Sequence, residues 1–205
     1  MIRAVIFDFG NVICSFDNDT FLRNLLRYTD KRFEELKAAI YASDLPVRYE
    51  SGLISSEEFF REAAARGGLS VPREEFFRAF GAIFTPIPST FRLIRDLKEK
   101  YKIGLLSNTN EFHYERYFRK VEIFPLFDSV TLSFEVKAMK PDERIYRDAV
   151  GKLRVLPGEC VYVDDIEANA EGANRLGMRG IRYVTHPSLL DSLAAAGIAV
   201  RRGVE

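Results

Sequence analysis

Acidic and hydroxyl side chains directly follow short apolar runs in this sequence, and a lysine lies further past another such run. In chain order they are Asp8, Ser107, Lys140 and the adjacent pair Asp164-Asp165. Clustered carboxylates repel one another and need a compensating cation. Three carboxylates with a backbone carbonyl and waters suit Mg²⁺, which prefers oxygen ligands. Since a lysine and a hydroxyl beside that cation suit a phosphoryl group, these residue types indicate phosphate chemistry if the fold brings them together.

Each of these residues alone has an ordinary explanation. An aspartate after a strand is usually a turn residue or a helix cap, and the pair Asp164-Asp165 could cap the next helix. Ser107 could be a capping serine and Lys140 a solvated surface lysine. Only their occurrence together favours a functional site.

Short apolar runs alternate with helical patterns along most of the chain, which predicts a parallel α/β sheet. The predicted strands are residues 4–7, 103–106, 129–132, 160–163 and 180–184. The predicted helices outside the insertion described next are 90–100, 110–120, 142–153, 167–176 and 187–196. Each run is apolar on both faces, as in a strand covered from both sides. Because chemistry in open parallel sheets lies beyond the carboxyl ends of the strands, we expect the polar groups at one edge.

A mostly helical insertion separates the first predicted strand from the second. Its predicted helices are marked by Phe21 to Leu26, by Asp30 as an N-cap, by a capping box at residues 55–58 and by Pro72 at a first helical position. Residues 85–89 are predicted to be a linker. We therefore predict a helical cap at residues 16–85 and a catalytic core at residues 1–15 and 86–205.

Composition excludes several classes of protein. The chain has 205 residues, 47% of them hydrophobic, and its 30 basic side chains balance 30 acidic ones, so nucleic acid is not an expected partner. The longest apolar run falls short of the ~18 residues that would cross a membrane. The start of the sequence does not resemble a secretory signal, so we expect a cytoplasmic protein. Two cysteines are too few for a disulfide framework. The oligomeric state stays open.

The order Asp8, Ser107, Lys140 and Asp164-Asp165 resembles the haloacid dehalogenase-like hydrolase superfamily over nearly the whole chain. There, an aspartate nucleophile follows the first strand, a serine or threonine ends the second, a lysine precedes a helix and an acidic pair follows the fourth strand. Three segments, 106–110, 139–141 and 171–174, together with the pair Asp164-Asp165, are most similar to a branch of bacterial sugar-phosphate phosphatases that includes glucose-1-phosphate phosphatase. The resemblance implies a Rossmann-like parallel sheet with a small helical cap inserted after the first strand.

The resemblance also implies a role for each matched residue. Asp8 would be the nucleophile of a Mg-dependent phosphatase and would form an aspartyl-phosphate, with Ser107 and Lys140 as further catalytic residues. The phosphate oxygens of a small phosphorylated metabolite, such as a sugar phosphate, would be bound by Ser107, the backbone at Asn108 and Lys140. Mg²⁺ would be bound by Asp8, Asp165 and the Gly10 carbonyl, with Asp164 either a direct ligand or a supporting group.

One position departs from the usual family pattern. Family phosphatases usually carry a second aspartate two residues after the nucleophile, which protonates the leaving group and then activates water. Here that residue is Gly10, although the same pattern occurs in the glucose-1-phosphate phosphatase branch. General acid–base help of roughly 10²–10⁴-fold is missing unless it is replaced. Asp17 or another acid of the cap could supply it, or the leaving group could be an anomeric sugar oxygen, which needs protonation less.

Two other functions compete with the phosphatase. A halide-releasing dehalogenase of the same superfamily also lacks the second aspartate, but it needs no metal and is not expected to keep the pair Asp164-Asp165. A non-catalytic member that binds a ligand or a protein would explain Gly10 as a sign of lost turnover. Against it, every other catalytic position is filled.

The cap is expected to choose the substrate. We predict that the polar residues 48–52 form a loop before the third cap helix. In the family, such a loop lies over the active site, whereas the alternative is a plain turn between helices.

Overall fold

The computed structural model describes residues 1–200, and within them it contains seven β-strands and eleven α-helices. The strands are β1 (Ala4–Phe7), β2 (Cys14–Phe16), β3 (Phe84–Pro86), β4 (Lys102–Ser107), β5 (Ser129–Leu132), β6 (Cys160–Asp164) and β7 (Arg179–Arg182). The helices are α1 (Asn18–Leu25), α2 (Phe33–Tyr41), α3 (Leu45–Glu50), α4 (Ser56–Gly67), α5 (Arg73–Gly81), α6 (Pro88–Lys98), α7 (Glu111–Arg116), α8 (Ser133–Val136), α9 (Glu143–Leu153), α10 (Glu167–Arg175) and α11 (His186–Ala195). Residues 201–205 of the predicted core lie outside the described part. The predicted α/β class is confirmed.

Five strands form one parallel sheet in the order β5-β4-β1-β6-β7. Strand β1 is central, and Ile6 lies opposite Gly104 of β4 and Tyr162 of β6. All four residues of β1 are fully buried, because helices cover both faces of the sheet. Since β1, β4 and β6 are neighbours, the residues that follow them share one edge, as predicted.

Alternate residues of β1 pack into different apolar clusters on the two faces of the sheet. Val5 and Phe7 belong to a cluster that includes residues of α6 and α11. Ala4 and Ile6 belong to a second cluster, with residues of α9 and α10. Burying one large apolar side chain stabilises a fold by about 1.5–3 kcal/mol, so the two layers hold the strand ends rigidly in place.

The helices α1 to α5 form the inserted unit, and they share an apolar cluster of their own. Phenylalanines dominate it, with Phe21, Phe59, Phe76 and Phe80 packed ring against ring at centroid distances of 5.0–6.2 Å. The separate cluster agrees with a cap between residues 16 and 85, although the boundaries themselves stay a prediction.

Two predicted helix starts in the cap differ in detail from the structure. Helix α2 begins after Arg32, whose backbone N–H donates to the Glu35 carboxylate, so the prediction of Asp30 as its N-cap is wrong. Pro72 is the N-cap residue of α5 and not its first helical residue. The capping box at Ser55 is confirmed by the reciprocal bonds of Ser55 and Glu58.

Two connecting segments are more ordered than predicted. Residues 48–50 belong to helix α3, so the prediction of a loop there is wrong. A helix can begin in this segment because Pro46 lies in its first turn, where proline is tolerated. The predicted linker 85–89 contains the end of β3, which pairs antiparallel with β2. The two chain passages between core and cap are therefore joined to each other by a short ribbon.

Smaller differences lie at the ends of the core elements. The last strand is residues 179–182 where 180–184 was predicted, and the predicted helix 110–120 divides into α7 and a 3₁₀ turn, Phe118–Lys120. Both cysteines are free and buried. Within residues 1–200, no helix combines the length and the apolar character that crossing a membrane requires.

Candidate active site

Three aspartates meet at the carboxyl edge of the sheet. Asp8 follows β1, Asp164 ends β6 and Asp165 comes next, and each has a carboxylate oxygen within 4.8 Å of the other two. Asp8 is 7% exposed and Asp164 is fully buried. Buried carboxylates so close together need positive charge nearby.

Lys140 supplies part of that charge from the segment between α8 and α9. Its Nζ lies 2.8 Å from Asp8 Oδ1 and 2.7 Å from Asp164 Oδ2. The side chain of Asn108 holds the backbone of this lysine in place, since its Oδ1 accepts from the Lys140 N–H at 2.8 Å and its Nδ2 donates to the Lys140 carbonyl at 3.2 Å. The lysine is therefore fixed at the acid cluster and is not a solvated surface residue.

Asp164 is already hydrogen-bonded at both carboxylate oxygens. Oδ1 accepts from the Ile166 N–H at 2.8 Å and from Asn169 Nδ2 at 3.1 Å. Oδ2 accepts from the buried hydroxyl of Tyr162 as well as from Lys140. These bonds suit a residue that orients Lys140, whereas the Asp165 carboxylate accepts a side-chain hydrogen bond from Asn11 Nδ2 at 3.0 Å.

The charges in the site perturb one another strongly. Burial raises the pKa of Asp8 to about 7; the positive charge of Lys140 lowers it, and the negative charge of Asp164 raises it. Burial alone would lower the pKa of Lys140, but the charges of Asp8 and Asp164 outweigh it and raise the pKa overall. Three carboxylates face one lysine, and their oxygen-only donor set fits Mg²⁺ and not a metal that prefers nitrogen or sulfur.

The loop after β1 approaches the acids closely. A Cβ built at Gly10 would lie 2.9 Å from Cε1 of Phe16 and 4.0 Å from Oδ2 of Asp8. The Phe16 ring therefore occupies the space that a side chain at position 10 would need. Asn11, which follows, adopts a left-handed conformation with φ 54°, which asparagine tolerates better than most residues.

Ser107 ends β4 with its side chain in the same region. It is 2% exposed, and its hydroxyl makes one long contact, 3.4 Å, with the Asn108 carbonyl. A hydroxyl so weakly engaged is available to a ligand. The structure thus brings together Asp8, Ser107, Lys140 and the aspartate pair, with Asn108 beside them.

Some important residues were not predicted from the sequence as parts of this site. Asn11 and Tyr162 orient the acids, as described above. Glu50 comes from the cap, where its carbonyl accepts from Ser133 Oγ at 2.6 Å. The stretch containing Glu50 was predicted to cover the site, which was a usable signal for that residue.

Asp17 is not placed to replace the proton donor that is missing at position 10. Its carboxylate caps helix α1 by accepting from the Asp19 N–H at 2.9 Å and from the Thr20 hydroxyl at 2.8 Å. These hydrogen bonds lower the pKa of this exposed group, so it stays ionised and is a poor proton donor.

His113 lies at the contact between core and cap. It is buried, its Nε2–H donates to the Phe80 carbonyl at 2.9 Å, and its ring stacks on Phe80. Its Nδ1 accepts from Asn110 Nδ2 at 3.1 Å, which leaves the ring neutral. Burial lowers the pKa of His113 to about 4.

Known proteins resemble this chain in sequence. The family model for haloacid dehalogenase-like hydrolases matches residues 2–177. The chain is 27% identical over 188 residues to D-ribitol-5-phosphate phosphatase of Bacteroides thetaiotaomicron, covering 86% of this chain and 89% of that protein. It is 29% identical over 122 residues to a phosphorylated carbohydrates phosphatase of Thermotoga maritima, covering 59% of this chain and 56% of that one.

Solved structures share the fold. Crystal structures of a HAD family enzyme from Bacteroides thetaiotaomicron superpose with a TM-score of 0.77 for its magnesium complex, at 25% identity over 89% of this chain and 93% of that one. Its complex with magnesium and inorganic phosphate gives a TM-score of 0.79, at 23% identity over 90% of this chain and 95% of that one.

Proposed function

Because this chain belongs to the haloacid dehalogenase-like hydrolase family, we propose that its acid cluster hydrolyses phosphate esters with Asp8 as nucleophile. The chain is a phosphoric monoester hydrolase, like its relatives named as phosphatases of ribitol 5-phosphate and of phosphorylated carbohydrates. The observation that carries the role of Asp8 is the buried Lys140, which bridges it to Asp164 beside Asp165.

The reaction proceeds in two displacements at phosphorus. An oxygen of the Asp8 carboxylate attacks the phosphorus, the bond to the leaving oxygen breaks, and an aspartyl-phosphate forms. Water then attacks that phosphorus and releases inorganic phosphate and free Asp8. Lys140 opposes the effect of burial on Asp8 and so favours the ionised form that attacks.

The phosphate group is bound by donors that are already in place. The Ser107 hydroxyl, the backbone at Asn108 and the Lys140 ammonium lie at the edge where the ester must sit to reach Asp8. Donors that need no reorganisation stabilise the charge on the transferring phosphoryl oxygens. The rigid ends of β4 and the contacts between Asn108 and Lys140 keep them so placed.

The donor set described above fits Mg²⁺. Asp8, Asp165 and the Gly10 carbonyl would hold the ion, and the hydrogen-bonded Asp164 would support the site through Lys140. When bound, the ion supplies positive charge that stabilises the phosphoryl oxygens.

The substrate we propose is a small phosphorylated carbohydrate. An anomeric ester such as glucose 1-phosphate is one candidate. Position 10 is a glycine and cannot donate a proton, and an anomeric leaving oxygen needs protonation less than an alkyl one. Nucleic acids and membranes are not expected partners, and we propose a cytoplasmic location.

A phosphate-release screen tests this proposal. Sugar, polyol and aryl phosphates are incubated with the protein in Mg²⁺ and in EDTA, beside the variant Asp8→Asn and the exposed control Asp30→Asn. We expect Mg²⁺-dependent release by the wild type and the control, and none by Asp8→Asn. Equal near-zero rates for wild type and Asp8→Asn would favour a binding protein, and EDTA-resistant halide release from 2-haloacids would favour the dehalogenase.

A further inference from the structure

The loop after the nucleophile has no acid that could protonate a leaving group. Gly10 stands two residues after Asp8, and the Phe16 ring lies where its side chain would be. Among the other acids, Asp17 is an exposed helix cap, and Asp164 has both oxygens engaged inside the cluster. Asp165 accepts a hydrogen bond from Asn11 and is a proposed metal ligand, so we expect the proton donor to come from elsewhere.

Helix α3 of the cap ends at the active-site edge, at Glu50. The Ser133 hydroxyl donates to the Glu50 carbonyl at 2.6 Å and accepts from the Thr109 N–H at 2.9 Å. Thr109 lies only two residues beyond Ser107, which ends β4. One serine thus ties the end of the cap helix to the strand end that carries a proposed phosphate ligand.

A second contact holds the residues after Glu50. Lys137 Nζ donates to the Gly52 carbonyl at 2.5 Å. Gly52 has φ 64°, and a Cβ there would clash with the Phe134 carbonyl, so the cap backbone approaches α8 as closely as only glycine permits. The backbone is therefore fixed relative to the core at Glu50 and at Gly52.

The Glu50 carboxylate interacts electrostatically with groups of the acid cluster but is not bonded to them. It carries no hydrogen bond or ion pair to any other residue within 1–200 that the structure records, and the residue keeps part of its surface exposed. The charges of Lys140 and Asp8 both act on it. Burial raises its pKa to about 7; Lys140 lowers it and Asp8 raises it, so both protonation states are accessible near neutral pH.

We propose that Glu50 is the general acid and base of this enzyme, supplied by the cap in place of an aspartate at position 10. This inference rests on the proposed function and names the residue that completes it. In the first step Asp8 attacks phosphorus, the ester bond breaks and the Glu50 proton passes to the leaving oxygen. In the second step the Glu50 carboxylate takes a proton from the attacking water, the bond from Asp8 to phosphorus breaks and phosphate leaves.

The variant Glu50→Gln tests the role, because it keeps the size of the side chain and removes the proton. An alkyl alcohol leaves poorly without a proton, whereas p-nitrophenolate leaves readily. For the alkyl phosphate hydrolysed best by the wild type, we expect kcat/KM to fall on the order of 10²–10⁴-fold. For p-nitrophenyl phosphate, we expect kcat/KM to stay nearly unchanged, which also shows that the variant is folded.

The second step gives an independent readout. Because the base that activates water is missing, Glu50→Gln should release a rapid burst of p-nitrophenolate followed by slow turnover. The matched control is Glu34→Gln, an exposed glutamate on α2, which should behave as wild type on both esters.

Other outcomes would overturn the inference. An equal fall in the kcat/KM of Glu50→Gln on alkyl and aryl esters would mean that Glu50 acts only structurally. An unchanged kcat/KM on the alkyl ester would mean that Glu50 has no role. A wild type that hydrolyses aryl and anomeric phosphates but no alkyl phosphate would also overturn the role of Glu50 while leaving the proposed function in place. A wild type inactive on every phosphate ester would overturn the proposed function itself, and the role of Glu50 with it.

Discussion

Replacing Asp8 by asparagine should stabilise the metal-free protein at alkaline pH while abolishing its activity. Burial raises the pKa of Asp8 from its ordinary 3.8 to about 7 in the folded protein. Because the folded state holds this proton more tightly than the unfolded state, the contribution to stability is fully present below pH 3.8. It is lost as the pH rises to about 7. Asparagine is neutral over this whole pH range, so the stability of Asp8→Asn does not include this pH-dependent loss.

The size of the effect follows from the difference between the two pKa values. Between 3.8 and about 7, the loss amounts to about 4 kcal/mol of unfolding free energy. About 3 kcal/mol of that loss falls between pH 5 and pH 8. The stability of Asp8→Asn relative to wild type should therefore increase by about this amount across that range.

Urea unfolding in EDTA at pH 5, 6, 7 and 8 measures the difference. Asp30→Asn, the same change at an exposed position, should follow the wild type at every pH. Addition of Mg²⁺ at pH 8 should stabilise the wild type more than Asp8→Asn, since the variant has lost a proposed ligand. Parallel stability profiles for wild type and Asp8→Asn in EDTA would refute the electrostatic account of the site.

Three further substitutions test other parts of the structure by urea unfolding, and the last of them also by assaying phosphate release. Unfolded histidine takes up a proton near pH 6.5, which buried His113 resists until about pH 4, so stability should fall by about 3 kcal/mol over that range in the wild type. His113→Phe should lack that loss. An equal fall of the unfolding free energy with pH in wild type and variant would contradict the lowered pKa of His113. Ser133→Ala should destabilise by about 1–3 kcal/mol, because the Glu50 carbonyl loses its donor; a neutral result would mean that the bond to the cap contributes nothing. Lys140→Met should destabilise by about 3–5 kcal/mol and remove activity, and retained activity would exclude this lysine from catalysis.

The active-site edge was largely predictable because parallel strands end on the same side. The apolar runs that became β1, β4 and β6 are short and two-sided, and the polar residues after them could have few other destinations. Spacing and residue type therefore predicted that Asp8, Ser107 and Asp164 would meet. Lys140 does not follow a strand directly, but the chain reaches it after the third predicted strand, and it was therefore expected at the same edge.

Contacts between core and cap could not be predicted in the same way. The bond from Ser133 to Glu50 joins residues far apart in sequence, and neither residue belongs to a recognisable motif. Helix α3 was missed because its polar residues and Pro46 are equally compatible with a loop. The burial of His113 could not be predicted either. Its helix shows an amphipathic pattern, but the sequence does not indicate that one side of this helix packs against the cap, where His113 contacts the Phe80 carbonyl.

The pairing of β2 with β3 illustrates the same limit. Thr85-Pro86 has the composition of a linker, and only the approach of Ser15, which pairs with Thr85, makes it a strand. The local β-propensity of a segment cannot predict a pairing strand from which it is separated in sequence by the whole cap.

In the proposed reaction the phosphoryl group is transferred to Asp8 before water releases it. To detect this aspartyl-phosphate, the enzyme is quenched in acid during turnover of p-nitrophenyl phosphate with Mg²⁺ and digested, and the phosphorylated residue is located by mass spectrometry. Glu50→Gln should give the strongest signal, because the second step is slowed. We expect a phosphoryl group on Asp8 in wild type and Glu50→Gln, and none in Asp8→Asn. Active enzyme without that adduct, or with phosphate on another residue, would contradict it.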